Sequence, residues 1–355
     1  MLNFADWPIW LNLLIFAGAA AFVWMSGTRL SKYVDVIATR TGIGHAFAGL
    51  VLLGGITSLP EVAVSTTASL TGESVLALNN ILGSVAAQVA LLALADALIG
   101  REALTSVVVE PIVLLQAALN ILLLAMVAGA VTAGDLPLLW GGVWSWSLMV
   151  GYLLSMWFLS RYRGRTPWMA HPAEEEGGDQ TGTDGEGEDD SDRSTTRLIL
   201  GIVGLAAVIL FAGYLLSETG SAVAAQSGLG SAFFGATFVA VATSLPEIST
   251  MVAAVRLRRY EMALGDIFGT NLFNAALVFS IDILSPGGPV LDRVGAFSAF
   301  GALLGLVLTT IFMVGVVERR DRTVLRMGWD SLAALVFYIA GLGILWTLRG
   351  QAGES

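Results

Sequence analysis

Apolar residues gather along this chain in long runs separated by short polar stretches. Ten runs stand out, at 8–27, 43–70, 74–98, 104–130, 136–160, 197–217, 229–255, 260–284, 293–317 and 328–348. Each is long enough to cross the hydrocarbon core of a bilayer as a helix, which takes about 20 residues. The pattern predicts an all-α polytopic membrane protein with ten transmembrane helices. The period-two alternation of an outer-membrane barrel is missing. The first run reads as the first span rather than as a cleavable leader.

Polar residues break the pattern most sharply inside two runs. ITSLPEVAVSTTASLTGESVLALNNILGSVAAQVALLALAD (56–96) and VATSLPEISTMVAAVRLRRYEMALGDIFGTNLFNAALVFSID (241–282) align without a gap at an offset of 186. Thr57, Ser58, Leu59, Pro60 and Glu61 match Thr243, Ser244, Leu245, Pro246 and Glu247. Ala77, Leu78, Ile81 and Gly83 match Ala263, Leu264, Ile267 and Gly269, and Asp96 matches Asp282. The repeat defines two units, 1–165 (motif 54–96) and 196–355 (motif 240–282), joined by a linker at 166–195. Five spans per unit is odd, so the second unit enters the membrane with opposite polarity. The two units form inverted five-helix repeats.

Each motif carries chemistry that a structural helix has no use for. Proline removes a backbone donor and clashes with the preceding turn, so it breaks the helix. Freed carbonyls at membrane depth persist only where they line a cavity or find partners. Hydroxyls stand just before each proline (Thr57, Ser58, Thr243, Ser244) and a carboxylate just after (Glu61, Glu247). A carboxylate at mid-membrane costs at least about 2.5 kcal/mol, which makes it a functional candidate by default. A proline kink with a glutamate held by a neighbouring helix explains one such motif, but poorly explains two in inverted halves. The next spans add Asn80, Ser84 and Gln88, and Asp266, Thr270 and Asn274, each set spaced i, i+4, i+8 on one helix face, with Asn271 beside the second. Spans 2, 3, 7 and 8 are expected to be discontinuous around these groups. Carbonyl, hydroxyl, amide and carboxylate oxygens are the ligands of hard cations such as Ca²⁺ or Na⁺. Up to three carboxylates in low dielectric need compensation by cations or protons, so an empty site resists crossing and an occupied one can cross.

Composition and charge refine this picture. Of 355 residues 55% are hydrophobic and 13% charged, and the mean hydropathy is +0.77. The net charge of −10 comes entirely from 171–192, which holds ten acids (Glu174, Glu175, Glu176, Asp179, Asp184, Glu186, Glu188, Asp189, Asp190, Asp192) and no lysine or arginine. That stretch is Gly- and acid-rich without apolar periodicity, hence a disordered linker, either a solvated spacer or a cation-concentrating loop. With both termini outside, Arg29, Lys32, Arg40, Arg101, Arg161, Arg163, Arg165, Arg193, Arg197, Arg256, Arg258, Arg259, Arg319, Arg320, Arg322 and Arg326 lie inside and only Arg293 and Arg349 outside. This bias makes the 161–197 segment cytoplasmic. The absence of cysteine excludes disulfides and thiol catalysis. Glu110 and His45 read as interfacial groups, Asp96 and Asp282 as solvated helix ends or vestibule acids. Trp7, Trp10, Trp140, Trp144, Trp146, Trp157 and Trp168 read as an aromatic belt.

The paired SLPE motifs, the G-x-x-G-S/T block one helix later and the two inverted fives resemble the cation/calcium antiporter superfamily, most closely the prokaryotic sodium/calcium exchangers. The resemblance covers the chain apart from the linker. It implies four central ligands, Glu61, Asn80, Glu247 and Asp266, in a diamond near the bilayer midplane. Thr57, Ser58, Thr243 and Ser244 complete flanking sites, and spans 1 and 6 slide to open the site to alternate sides. The chain departs from the family pattern at Val85, where an asparagine is usual, and at Asn79, where a glycine is. It also departs at Leu76 and Met262, where sodium-coupled members carry hydroxyls. The expected activity is exchange of Ca²⁺ for Na⁺ across a prokaryotic inner membrane. H⁺-coupled exchange of Ca²⁺ or another cation is the alternative, and a cation channel a distant one, since channels are built from rings of subunits. An intramembrane aspartyl protease needs Gly-x-Gly-Asp, and Ala263, Leu264, Gly265 and Asp266 lack the first glycine. We therefore expect a transporter of small cations rather than an enzyme. Its partner is the lipid bilayer, with no cofactor or nucleic acid expected; the sequence leaves the oligomeric state open, and the chain could act as a monomer.

Overall fold

The computed structural model describes residues 3–41, 57–99, 104–107, 111–162, 195–256, 260–318, 323–324 and 327–351. The helices are α1 (Ile9–Thr41), α2 (Leu59–Leu70), α3 (Ser74–Ile99), α4 (Pro111–Ala133), α5 (Val143–Arg161), α6 (Thr195–Ser227), α7 (Ser231–Thr243), α8 (Leu245–Arg256), α9 (Tyr260–Leu284), α10 (Ala296–Glu318) and α11 (Trp329–Leu348). Among the described residues eight helices are long and apolar enough to cross a membrane, nine if the bent α7–α8 pair is one span. The second of the ten expected spans is described only as α2, because 43–56 lie outside the described residues. So do His45, Glu110, Trp168, the acidic run and many of the loop arginines, including Arg258, Arg259, Arg319, Arg320, Arg322 and Arg326.

Burial sorts the helices by role. Of the most apolar stretch, 94% is buried in α3 and 72% in α9, against 22% in α1, α5, α6 and α11. The outer helices turn Leu14, Phe22, Leu200, Phe211 and Ile339 outward, as a lipid-facing surface requires. Trp10, Trp140 and Trp157 are exposed as well. α1 and α6 pack antiparallel. Gln226 Nε2 donates to Trp7 O (2.8 Å), Phe16 lies near Gly220, and the Tyr33 ring covers Gly201. This fixes two faces of the bundle: a linker face, where α5 ends and α6 begins, and a far face, where α1 begins and α6 ends.

The two prolines act as the sequence requires, and with matching geometry. Ser58 has φ −79°, ψ 6° and Ser244 has φ −80°, ψ 7°. Both leave the helical basin just before a proline-led helix, and α7 and α8 bend by 46° across the second break. α2 and α8 thus start afresh, with Glu61 and Glu247 in their first turns. Helix N-termini favour carboxylates there by up to about 1 kcal/mol. Proline fits the opening positions because its missing N–H is unneeded there.

The expected breaks in spans 3 and 8 are absent. α3 and α9 each run unbroken through their polar faces. Asn, Ser, Thr and Asp side chains do not force a break as proline does, and Asn79 Nδ2 even donates back to Val75 O (2.8 Å) within the helix. A π-helical segment, Gly235–Val239, lies inside α7 where it crosses α3. Gly235 faces the Leu76 carbonyl and Gly83 faces the Ala236 backbone, with no room for a Cβ at either.

Asp96 and Asp282 are neither solvated nor vestibular. They are 0% and 2% exposed. Asp96 accepts from Leu104 N and Gly328 N (both 2.6 Å). Asp282 accepts from Val290 N (2.5 Å), Gly142 N (2.6 Å) and Ser145 Oγ (2.6 Å). Leu104 and Val290, and Gly142 and Gly328, are again 186 apart. Each aspartate, at the end of a central helix, therefore holds the loop after it and the hairpin of the opposite half. The hairpins match too: β1 (Pro137–Leu138) with β2 (Gly141–Gly142), and β3 (Thr323–Val324) with β4 (Met327–Gly328). The sequence misled here because part of each partner set, Gly328 N for Asp96 and Gly142 N with Ser145 Oγ for Asp282, lies in the opposite half of the chain.

Removing either carboxylate strands two buried N–H groups, and bonds to charged acceptors contribute about 1.5–3 kcal/mol each. Asp96→Ala and Asp282→Ala are each expected to cost about 3 kcal/mol. A clear drop in the unfolding temperature of purified protein in detergent is the readout. An unchanged temperature for both variants would refute the clamp.

Candidate functional site

The two proline breaks bring their polar residues to one place at mid-depth. Thr57, Ser58, Glu61, Asn80, Ser84, Gln88, Thr243, Ser244, Glu247, Asp266, Thr270, Asn271 and Asn274 are all buried, and Asp266, at 7%, is the most exposed of them. The helices α2, α8, α3 and α9 deliver them. The first two contribute their N-termini and the last two their continuous polar faces.

The contacts cross between the halves. Ser244 Oγ donates to Glu61 Oε1 (3.3 Å) and accepts from Gln88 Nε2 (3.0 Å). Thr243 flanks the same glutamate. Thr57 occupies the matching place beside Glu247. Thr243 and Ser244 thus serve the carboxylate of the other half, and Thr57 stands beside the carboxylate of its own opposite half. Thr243 Oγ1 also reaches Asn80 Oδ1 (3.4 Å) and Ser84 Oγ (3.4 Å). Glu247 lies close enough to both Glu61 and Asp266 to be repelled by them.

Much of the oxygen at this point lacks any partner. Glu61 Oε2, both carboxylate oxygens of Glu247, Asp266 Oδ1, Gln88 Oε1, Thr270 Oγ1 and the Asn271 and Asn274 side chains accept or donate no hydrogen bond. An unpaired buried polar group costs about 1–3 kcal/mol, more when charged. Helix packing leaves these oxygens without partners, so they are free to serve as ligands. Their chemistry suits a hard cation, which takes carboxylate, carbonyl, hydroxyl and amide oxygens.

The two halves differ at one ligand. Asp266 corresponds to Asn80, yet its Oδ2 accepts from Thr250 Oγ1 (2.7 Å) within its own half, and Thr250 also donates to Glu247 O (2.9 Å). Among the described residues no three carboxylate, histidine or cysteine side chains converge into a metal cage of their own. In this conformation the centre consists of two glutamates with hydroxyl and amide oxygens, and Asp266 stands at its edge. Thr250 escaped the sequence reading because its counterpart is Val64, so the repeat gave no signal for it. The atypical positions Leu76 and Val85 contribute no oxygen. Leu76 lies in the apolar core, and Val85 packs against Gly305 of α10. The Met262 side chain lies outside the described residues.

Comparison with known proteins identifies the family and the fold. The family model described as "Sodium/calcium exchanger protein" matches residues 11–161 and 197–347, on either side of the linker. The putative antiporter CaxA of Alkalimonas amylolytica is 26% identical over 92% of this chain and 98% of its own length. Among solved structures, the H⁺/Ca²⁺ exchanger CAX superposes with a TM-score of 0.69 at 13% identity, over 95% of this chain and 85% of that one. The sodium-calcium exchanger NCX_Mj superposes with a TM-score of 0.61 at 15% identity, over 95% of this chain and 99% of that one.

Ser244 is the shared partner of Glu61 and Gln88. Ser244→Ala strands both, at an expected cost of about 2 kcal/mol to the cation-free protein. Thermal unfolding in chelator measures this. Added Ca²⁺ should recover less of the unfolding temperature in Ser244→Ala than in the unmodified chain, and equal recovery would remove Ser244 from the site.

Proposed function

We propose that this chain, which belongs to the sodium/calcium exchanger family, carries Ca²⁺ across the membrane in exchange for Na⁺, using one oxygen-lined site that opens to alternate sides. The observation that carries this reading is the cluster of unpartnered carboxylate and amide oxygens at Glu61, Glu247, Asp266, Gln88, Asn271 and Asn274. A cation that takes 6–8 oxygens fits such a set, and a pair of buried glutamates supplies the charge to hold a divalent ion. In the proposed assignment Glu61, Asn80, Glu247 and Asp266 are the central ligands. Thr57, Ser58, Thr243 and Ser244, with Ser84, Gln88, Thr270, Asn271 and Asn274 behind them, complete the ion sites.

The exchange logic is electrostatic. Two or three carboxylates without cations are too costly to move through a low-dielectric barrier, whereas a filled site is close to neutral and can move. The site therefore changes sides only when loaded, and Ca²⁺ and the counter-ion compete for the same oxygens. The moving part in this proposal is the α1–α6 pair. It meets the site helices through glycines at equivalent positions: Gly27 packs on Pro246 of α8, and Gly213 on Pro60 and Ala63 of α2. Small residues at such crossings leave few interlocking side chains to part. The far face is the outside, the linker is cytoplasmic, and the protein works in a prokaryotic inner membrane as two inverted halves within one chain.

A second reading, exchange of Ca²⁺ for H⁺, is favoured by one observation. Leu76 and Val85 offer no oxygen where a sodium-coupled chain would, while Asp266 already sits apart on Thr250. A carboxylate placed this way can take a proton in place of a cation.

Proteoliposomes loaded with Na⁺ and diluted into Na⁺-free buffer containing radiolabelled Ca²⁺ decide between the two. Uptake that requires internal Na⁺ and is lost in Glu247→Gln is the expected result. Uptake driven only by an outward proton gradient supports the second reading. No uptake under either gradient, in protein shown to be folded, overturns the assignment of Ca²⁺.

A further inference from the structure

The proposed exchange uses Asp266 as a ligand but gives no part to Thr250, the residue that holds it. Thr250 stands three residues after Glu247, so the two share one face of α8. Its hydroxyl has one hydrogen and two acceptors in reach. Glu247 O, a turn back in the same helix, lies at 2.9 Å, and Asp266 Oδ2 of α9 lies at 2.7 Å. The bond to the helix's own carbonyl restricts the threonine rotamer, so the hydroxyl meets Asp266 from a set position. Asp266 is buried, and its other oxygen, Oδ1, has no partner.

The other half shows the same position without that hydroxyl. Val64 is the counterpart of Thr250 and Asn80 that of Asp266, each at the offset of 186. Val64 is part of the apolar core. Asn80 instead reaches across the site: Thr243 Oγ1 of the opposite half lies 3.4 Å from Asn80 Oδ1 and 3.4 Å from Ser84 Oγ. The matching trio in the second copy is Thr57, Asp266 and Thr270. There Thr270 Oγ1 has no partner, and Asp266 gives its Oδ2 to Thr250 within its own half. A threonine in place of a valine thus accompanies a ligand drawn out of the arrangement that its twin adopts.

Repulsion acts in the same direction as this bond. Glu247 lies close enough to Asp266 to repel it, which favours the position on Thr250 while the site is empty. A cation held by Glu61 and Glu247 attracts Asp266 instead. To meet that cation through both oxygens, Asp266 must give up the hydrogen it takes from Thr250. The hydroxyl and the cation therefore compete for Oδ2.

We propose that Thr250 is a positioning residue for Asp266: it withholds the third acid from the bound cation and so sets how tightly Ca²⁺ is held and how readily it leaves. This rests on the exchanger reading above for the identity of the cation, and adds a residue that touches no ion itself. Calcium sites are tuned by how many charged ligands they offer and how rigidly these are held. A carrier must also release its ion in every cycle. With Asp266 on Thr250 the site holds Ca²⁺ less tightly than three free acids would.

Thr250→Val removes the hydroxyl, keeps the shape of the side chain and copies the residue at Val64. Calorimetric Ca²⁺ binding by the purified protein in detergent is expected to tighten about tenfold, the loss of one competing bond to a charged group. Thr250→Ala lacks the same hydroxyl and should tighten binding likewise, whereas Thr250→Ser keeps it and should bind as the unmodified chain does. In an Asp266→Ala background Thr250→Val should change nothing, since a threonine that only supported the helix would act whether or not the acid is present. In proteoliposomes the tighter hold appears as a split, with the KM for Ca²⁺ and kcat both lowered in Thr250→Val. Unchanged or weaker binding in the two hydroxyl-free variants, or a change that persists without Asp266, overturns the proposal. Binding that tightens as expected in a chain that moves no Ca²⁺ under any gradient sinks the exchanger reading and leaves the role of Thr250 standing. A chain that binds no Ca²⁺ in any of these forms overturns both.

Discussion

Everything in this protein turns on two glutamates buried in the middle of an apolar bundle with oxygens left unpaired. Glu61 and Glu247 are fully buried and lie close enough to repel each other. An isolated ionised carboxylate in a medium this apolar costs far more than a helix can recover by packing. The fold meets that cost locally in two ways. It places both residues in the first turn of a helix, where the dipole is favourable. It gives each a threonine or serine from the opposite half. The proline breaks exist to make the first of these possible, since only a chain interrupted at mid-membrane has helix N-termini there.

The crossing of partners between halves gives the site its unity. Ser58 and Ser244 adopt the same backbone conformation to within 1°; Thr243 and Ser244 lie against Glu61, and Thr57 lies beside Glu247. Asp96 and Asp282 do the same at the two faces of the bundle, each tying the end of a central helix to the opposite hairpin. Each half satisfies only part of its own buried groups and the other half supplies partners for the rest. On this symmetric frame two differences stand out: Asp266 against Asn80, and Thr250 against Val64.

The sequence was most legible where covalent chemistry dictates local structure. Proline breaks a helix wherever it stands, so the two SLPE breaks followed directly, as did the offset of 186 that the hairpins and clamps also obey. It was least legible where the partner lies far along the chain. Asp96 and Asp282 read as solvated acids at helix ends because one amide that buries each lies more than a hundred residues away, in the opposite hairpin, and leaves no local trace. The expected breaks in spans 3 and 8 failed for a related reason. Their polar faces looked disruptive in isolation, but side chains that point into a shared site leave the backbone ladder intact. Asp266 matched Asn80 in sequence, and only Thr250, at a position where the other copy has valine, turned it aside.

The same contrast bears on how the site can open. The central helices α3 and α9 are pinned by charge-assisted bonds at their ends, short ones of 2.5–2.6 Å. The glycines of α1 and α6, by contrast, lean on Pro246, Pro60 and Ala63 through van der Waals contact. Dispersion at such a surface changes little as one helix slides over another, whereas a clamped amide loses its bond outright when its partner moves. In the proposed cycle motion therefore concentrates on the α1–α6 pair and leaves the frame intact.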